Sequence, residues 1–157
     1  MVTRIANRVV TRRAPRLSVR HASRADRAKN LAAPEAFHEV NAAGEPPFQN
    51  GWINIGGPGE QAGFFKDREG VVHLMGEVNG GAVGSVIFQL PPGYRPAAGS
   101  VADFAVACNC STIDPQGGSV SLTTGSVSVV GNDGRVYLYN ADAADHVFLD
   151  GITFRAR

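Results

Sequence analysis

The chain has no run approaching the roughly 18 consecutive apolar residues of a membrane-crossing helix, so its 157 residues suggest no helical span and no membrane partner. Cysteine is almost absent. Cys108 and Cys110 are the only two, too few for a disulfide-stapled miniprotein or a four-thiolate zinc site. A C-x-C pair on an extended strand bridges awkwardly, so free, partly buried thiols are expected. A metal held by several such pairs at an oligomer axis is a remote alternative. The four histidines, His21, His38, His73 and His146, stand at no metal-ligand spacing and read as ordinary surface or sheet residues. No G-x-S-x-G, phosphate-binding loop or H-E-x-x-H occurs. Glu60, Asp67, Glu69 and Glu77 are acids suited to turns and solvated edges, with nothing to mark two of them as a glycosidase pair. The expectation is therefore a protein without catalytic residues, metal or cofactor. Helical periodicity is missing too: beyond residue 31 no window combines a 3.6-residue apolar repeat with caps at both ends.

What the chain does have is glycine, 19 residues of it, and short apolar runs separated by Gly, Pro, Asn and Asp. That is the composition of a sheet protein with many tight turns. Acids are also unevenly placed. Up to Asn30, Arg4, Arg8, Arg12, Arg13, Arg16, Arg20, Arg24, Arg27 and Lys29 face the single Asp26, a net +8, whereas the remainder carries a net −7. So strong a division says that the two segments meet different partners.

The basic arm, residues 1–30, has arginines at intervals of four, and Pro15 argues against one continuous helix through it. Two short helices or an extended lasso both fit. Its Arg- and Ser-rich, acid-poor makeup imitates a transit peptide, but a retained anchor in an acidic groove of a protein lattice fits better. A solvated tail is the plain alternative, and direct contact with nucleic acid is the least favoured partner. Residues 31–49, with Pro34, Pro46 and Pro47, read as a linker that Phe37, Val40 and Phe48 tack onto the first sheet.

Residues 50–157 read as eight or nine short strands, an antiparallel β-sandwich or jelly roll. Trp52, Ile53 and Ile55 open the domain. Ala62 to Lys66 and Val71 to Val78 form a hairpin around Asp67-Arg68-Glu69-Gly70, and alternation places Val72, Leu74, Gly76 and Val78 on one face. Val86 to Leu90 is ended by Pro91, Pro92 and Gly93. Strands follow at Val101 to Ala107, Val120 to Leu122, Ser126 to Val130 and Arg135 to Tyr139, the last two joined by Asn132-Asp133-Gly134. Val147 to Phe154 closes the chain, interrupted at Asp150-Gly151.

Four motifs recur here in a telling order: Trp52 near the start, K-D-x-x-G-x-V-x-L-x-G from Lys66 to Gly76, L-P-x-G-Y-R-P from Leu90 to Pro96, and L-D-G-I-x-F-R from Leu149 to Arg155. Residues 44–157 thereby resemble the C-terminal β domains of phage tail-fibre and related virion proteins, especially of the actinobacterial type; residues 108–118 depart from the pattern and residues 1–43 match nothing in it. The resemblance implies a homotrimer on the virion surface, with other virion proteins, capsid or tail, as partners. Within it Trp52, Asp67, Gly70, Gly76, Pro91, Gly93, Tyr94, Arg95, Asp150, Gly151 and Phe154 are structural positions, Tyr94 and Arg95 lying across a sheet edge. A capsid decoration or head-fibre role, anchored by the arm, is expected first; a tail-fibre or baseplate tip that binds a host receptor or surface glycan is the alternative.

Overall fold

The computed structural model describes residues 35–55, 61–109, 123–141 and 146–157. They hold eleven strands: β1 (His38–Glu39), β2 (Ile53–Asn54), β3 (Gly63–Lys66), β4 (Val71–Met75), β5 (Glu77–Asn79), β6 (Val86–Gln89), β7 (Val101–Cys108), β8 (Thr123–Val130), β9 (Arg135–Asn140), β10 (Val147–Phe148) and β11 (Thr153–Arg155). All pairings are antiparallel, in one sheet of order β1-β3-β4-β11 and another of order β2-β5-β10-β7-β8-β9-β6. The two pack as a β-sandwich, the expected class, and no helix occurs among the described residues. The basic arm, with all its arginines, and the strand expected at Val120 to Leu122 lie outside the described residues.

The expected hairpins form for the expected reasons. Between β3 and β4 the Asp67 amide donates to Val71 O (2.8 Å), and the Asp67 carboxylate accepts from the Val71 amide (2.8 Å). Asp67 thus closes its own turn, as short acidic side chains do. Between β8 and β9 the Gly134 amide donates to Val130 O (2.8 Å). Alternation then buries Val127, Val129, Val136 and Leu138 against Phe64, Val72, Leu74, Ile87 and Phe88. The segment read as a linker contributes to the same core: β1 pairs with β3, the Val40 amide bonds Ala62 O (2.9 Å), and Val40 is fully buried.

One expected strand is two. Val71 to Val78 divides at Gly76: β4 belongs to the small sheet and β5 to the large one. Gly76 has φ +89°, and a Cβ there would stand 2.4 Å from Gln61 O and 2.6 Å from the Ala62 amide nitrogen. The closing segment divides likewise, β10 pairing with β5 in the large sheet and β11 with β4 in the small one. Both segments therefore change sheets side by side. Hydrogen bonds from the Leu149 amide to Gly76 O (2.8 Å) and from the Leu74 amide to Ile152 O (3.0 Å) keep the corner paired, so the crossing leaves these backbone groups satisfied. Alternation hides such a switch, because each sheet buries the side facing the other: Leu74 and Val78 both reach the core, from different sheets.

Cys108 also departs from expectation. It is fully buried and disulfide-bonded rather than a free thiol; Cys110, the chain's other cysteine, lies outside the described residues. The objection to a bridge assumed a continuing strand, but β7 ends at Cys108. A disulfide sulfur is not a thiolate ligand, so the axial metal idea loses its donor.

Gly76→Ala should destabilise the domain by about 2 kcal/mol or more, since a left-handed conformation and a backbone clash are both imposed. Gly70→Ala should cost only about 1 kcal/mol, for Gly70 shares the positive φ (+78°) but has nothing within 4 Å of its Cβ position. Urea denaturation of the two variants checks the difference.

Candidate functional site

The chain's chemistry gathers where the L-P-x-G-Y-R-P corner meets β1 and β3. Pro91 opens a turn closed by the Tyr94 amide on Pro91 O (3.2 Å), and Lys66 of β3 donates to Gly93 O (3.0 Å). The turn sets the Tyr94 ring edge-on to Phe64 (centroids 4.9 Å apart, 70°), beneath the Lys66 ammonium at 4.7 Å. Tyr94 therefore packs on Phe64 of β3 and reaches His38 of β1, the edge strand of the small sheet. Arg95 turns the other way. Its Nε donates to the carbonyl of buried Leu90 (2.8 Å) and one terminal nitrogen reaches Asn132 O (3.4 Å), joining the corner to the β8–β9 turn.

Three residues from outside the motifs complete the cluster. The Glu35 and Glu45 carboxylates flank the His38 ring, Glu35 Oε1 at 2.8 Å from Nε2 and Glu45 Oε1 at 2.9 Å from Nδ1. The Tyr94 hydroxyl donates to Glu35 and stands 3.0 Å from His38 Nε2. The His38 ring stacks on Phe64 (5.1 Å, 13°). A turn brings Glu45 back to His38: its amide bonds Ala42 O (3.1 Å), and the Asn41 amide closes the loop on Pro46 O (2.8 Å). The hydrogen bond from the ring to Glu45 raises the imidazole above its ordinary 6.5 against the lowering effect of burial, and Glu35 adds to the rise. Burial first, and the Glu35 hydrogen bond second, push the Tyr94 phenol up to about 12.

Reading residue by residue missed Glu35, His38 and Glu45. Their signal was a histidine with acids three residues before and seven after it, beside Pro46-Pro47, but nothing local says that a chain loop folds Glu45 back. The motif residues serve separate contacts instead of one site. Trp52, 2% exposed, donates from Nε1 to Ser85 Oγ (2.9 Å), with Gly81 packed on the ring. Asp67 receives His73 Nε2 at 3.1 Å; this hydrogen bond, then that from the Val71 amide, holds the carboxyl below its ordinary value. Asp150 and Gly151 make the turn at the sheet crossing, closed by the Ile152 amide on Leu149 O (3.2 Å). Phe154 meets Phe104 across the sandwich (6.1 Å). Histidine 146 pairs with Glu77 through Nδ1 (2.5 Å). Among the described residues no group of three or more His, Cys, Asp or Glu side chains is arranged to hold a metal ion.

The sandwich also presents an outer face on the large sheet. With Val136 and Leu138 turned inward, Tyr137 and Tyr139 of β9 turn outward as an edge-to-face pair (6.2 Å), Tyr139 being 64% exposed. Arg135 on the same side bonds Asp133 (2.7 Å). Across β8, Ser128 donates to Asp103 of β7.

The fold has a counterpart among solved structures: the receptor binding protein (gp15) of Listeria phage PSA, with a TM-score of 0.59 and 16% identity, covering 92% of this chain and 78% of that one. The likeness is one of fold. No protein-family model matches the chain, and no curated protein matches it significantly.

Arg95→Ala should destabilise the domain by about 1.5–3 kcal/mol, the usual range for losing a charge-assisted hydrogen bond and stranding a buried carbonyl. Arg95→Lys should fail to restore it, since a point ammonium does not reproduce the guanidinium's directed Nε and terminal donors. Thermal melts of the three proteins test both statements.

Proposed function

We propose that this chain is a non-enzymatic protein of the phage virion surface, its basic arm attaching to other virion proteins and its β domain displayed toward the host. The observation that carries this reading is the fold shared, over 92% of the chain, with the receptor binding protein of Listeria phage PSA. The motif order and the division of charge, +8 in residues 1–30 against −7 beyond, support it independently. The domain is proposed to act as a homotrimer, as the resemblance implies.

Between the two positions on the particle, the likeness to a receptor binding protein favours a tail tip over the capsid decoration that the arm first suggested. The contact with a host glycan or envelope component is proposed to involve the Tyr137–Tyr139 face. Exposed aromatic rings offer large contact area at small entropic cost, and Arg135, Asp133 and Asp103 supply polar partners beside them. Capsid decoration is a second reading, supported by the charge of the arm, which suits an acidic lattice.

Full-length protein incubated with host cells should reduce phage adsorption, and Tyr139→Ala should weaken that competition about tenfold with no loss of thermal stability. Absence of competition by the unaltered protein would overturn receptor binding. Copies per particle, counted by gel densitometry, separate the positions: a tail tip has few copies, a decorated lattice many. Replacing Arg4, Arg8, Arg12 and Arg16 with Ser should release the protein from particles while the β domain stays folded and oligomeric. Full retention of the altered protein would refute the anchor.

A further inference from the structure

The Glu35–His38–Glu45–Tyr94 cluster contains one donor arrangement that depends on a single proton. Ionised carboxylates only accept hydrogen bonds, so an imidazole with carboxylate oxygens 2.8 Å and 2.9 Å from its two nitrogens must donate from both, which only the imidazolium can do. The neutral ring keeps one donor. Its other nitrogen then turns a lone pair toward a carboxylate and repels it. The Tyr94 hydroxyl, within reach of both Glu35 and His38 Nε2, is a donor able to serve either.

We propose that this cluster is a proton-operated clasp: protonated His38 and Tyr94 together hold Glu35, and when Nε2 loses its proton to solvent the Tyr94 hydroxyl turns to Nε2, freeing Glu35. Glu45 stays bonded through Nδ1–H in both states. The surroundings favour this division. The Asn41–Pro46 hydrogen bond holds the Glu45 turn independently of the histidine, and the Phe64 stack keeps the ring in place. On the Glu35 side, no backbone ladder contact precedes β1 among the described residues. The charged and titratable groups around the ring are Glu35 and Glu45 from its own segment, Tyr94 from the corner and Lys66 from β3, the last bonded to Gly93 O and lying over the Tyr94 ring. Glu39, the next residue along β1, points to the opposite face.

The sign follows from the direction in which His38 is displaced. Its folded-state value lies above 6.5, so the clasp is fully closed below 6.5 and opens as pH rises through the raised value. In sequence, Glu35 lies within the segment, residues 31–49, that joins the basic arm to the β domain. A closed clasp therefore holds Glu35 against the domain, and an open one releases it.

Two readouts on the full chain test the proposal. In a histidine-ring NMR titration, His38 should titrate above 6.5; Glu45→Gln should lower its pKa, whereas Tyr94→Phe should raise it, because the neutral ring then loses its substitute donor. A merely structural tyrosine would not move the value upward. In the second readout a glutamate-specific endoproteinase cuts after Glu35, with the cut after exposed Glu69 as an internal reference. The Glu35-to-Glu69 cutting ratio should rise at least about threefold between about pH 6 and about pH 8, and in His38→Gln it should not change with pH. If His38 titrates at or below 6.5, or the ratio in the unaltered protein is constant across that range, the clasp is wrong.

Discussion

The sandwich depends on how two chain segments pass from one sheet to the other at the same corner. A single strand leaving its sheet would strand the backbone donors and acceptors of its former neighbour. Here β4 continues into β5 beside β10 continuing into β11, and the Leu149–Gly76 and Leu74–Ile152 hydrogen bonds carry the pairing through the bend. The bend is tight enough to bring the Gln61–Ala62 backbone against Gly76, leaving no room for a side chain. Both sheets thus face one interior, in which Phe104 of the large sheet meets Phe154 of the small one. Removing about a methyl's width of space at Gly76 would disturb two sheets, not one turn.

From that interior a file of rings leads outward. Phe88 is fully buried in the large sheet, Phe64 lies nearly parallel to it (6.4 Å, 14°), and His38 stacks on Phe64 in turn. Tyr94 stands edge-on to the last two. Rigid aromatic packing of this kind places a titratable ring with little freedom, which is why two carboxylates of its own segment and a phenol 56 positions away can meet it together. The same corner holds Arg95, whose bonds to Leu90 O and Asn132 O tie the proline turn to the β8–β9 turn. Structural and chemical roles are thus adjacent in Tyr94-Arg95, one residue facing the cluster and the other the core edge.

Much of this architecture was legible in the chain. The β3–β4 hairpin was readable because Asp67 and Gly70 carry their turn chemistry within four residues, and β7, β8 and β9 because larger apolar residues recur at every second position over much of each strand. The opposite faces of β9 were readable for the same reason: Val136 and Leu138 inward imply Tyr137 and Tyr139 outward. The sheet change at Gly76 was not, since the alternation of Val72, Leu74 and Val78 is the same for one long strand as for two short ones in facing sheets. Nor was the bonded state of Cys108, which turns on where β7 stops.

By itself the sequence determined the all-β class, the positions of most strands and turns, and a basic segment set apart from an acidic remainder, because all of these depend on residues that are neighbours along the chain. Only the tertiary structure decided which sheet each strand joins and what His38 touches. Tyr94 reaches Glu35 across 59 positions and Glu77 reaches His146 across 69. Proton-sharing of that kind is set by distance in space, and no local pattern of residue types encodes it.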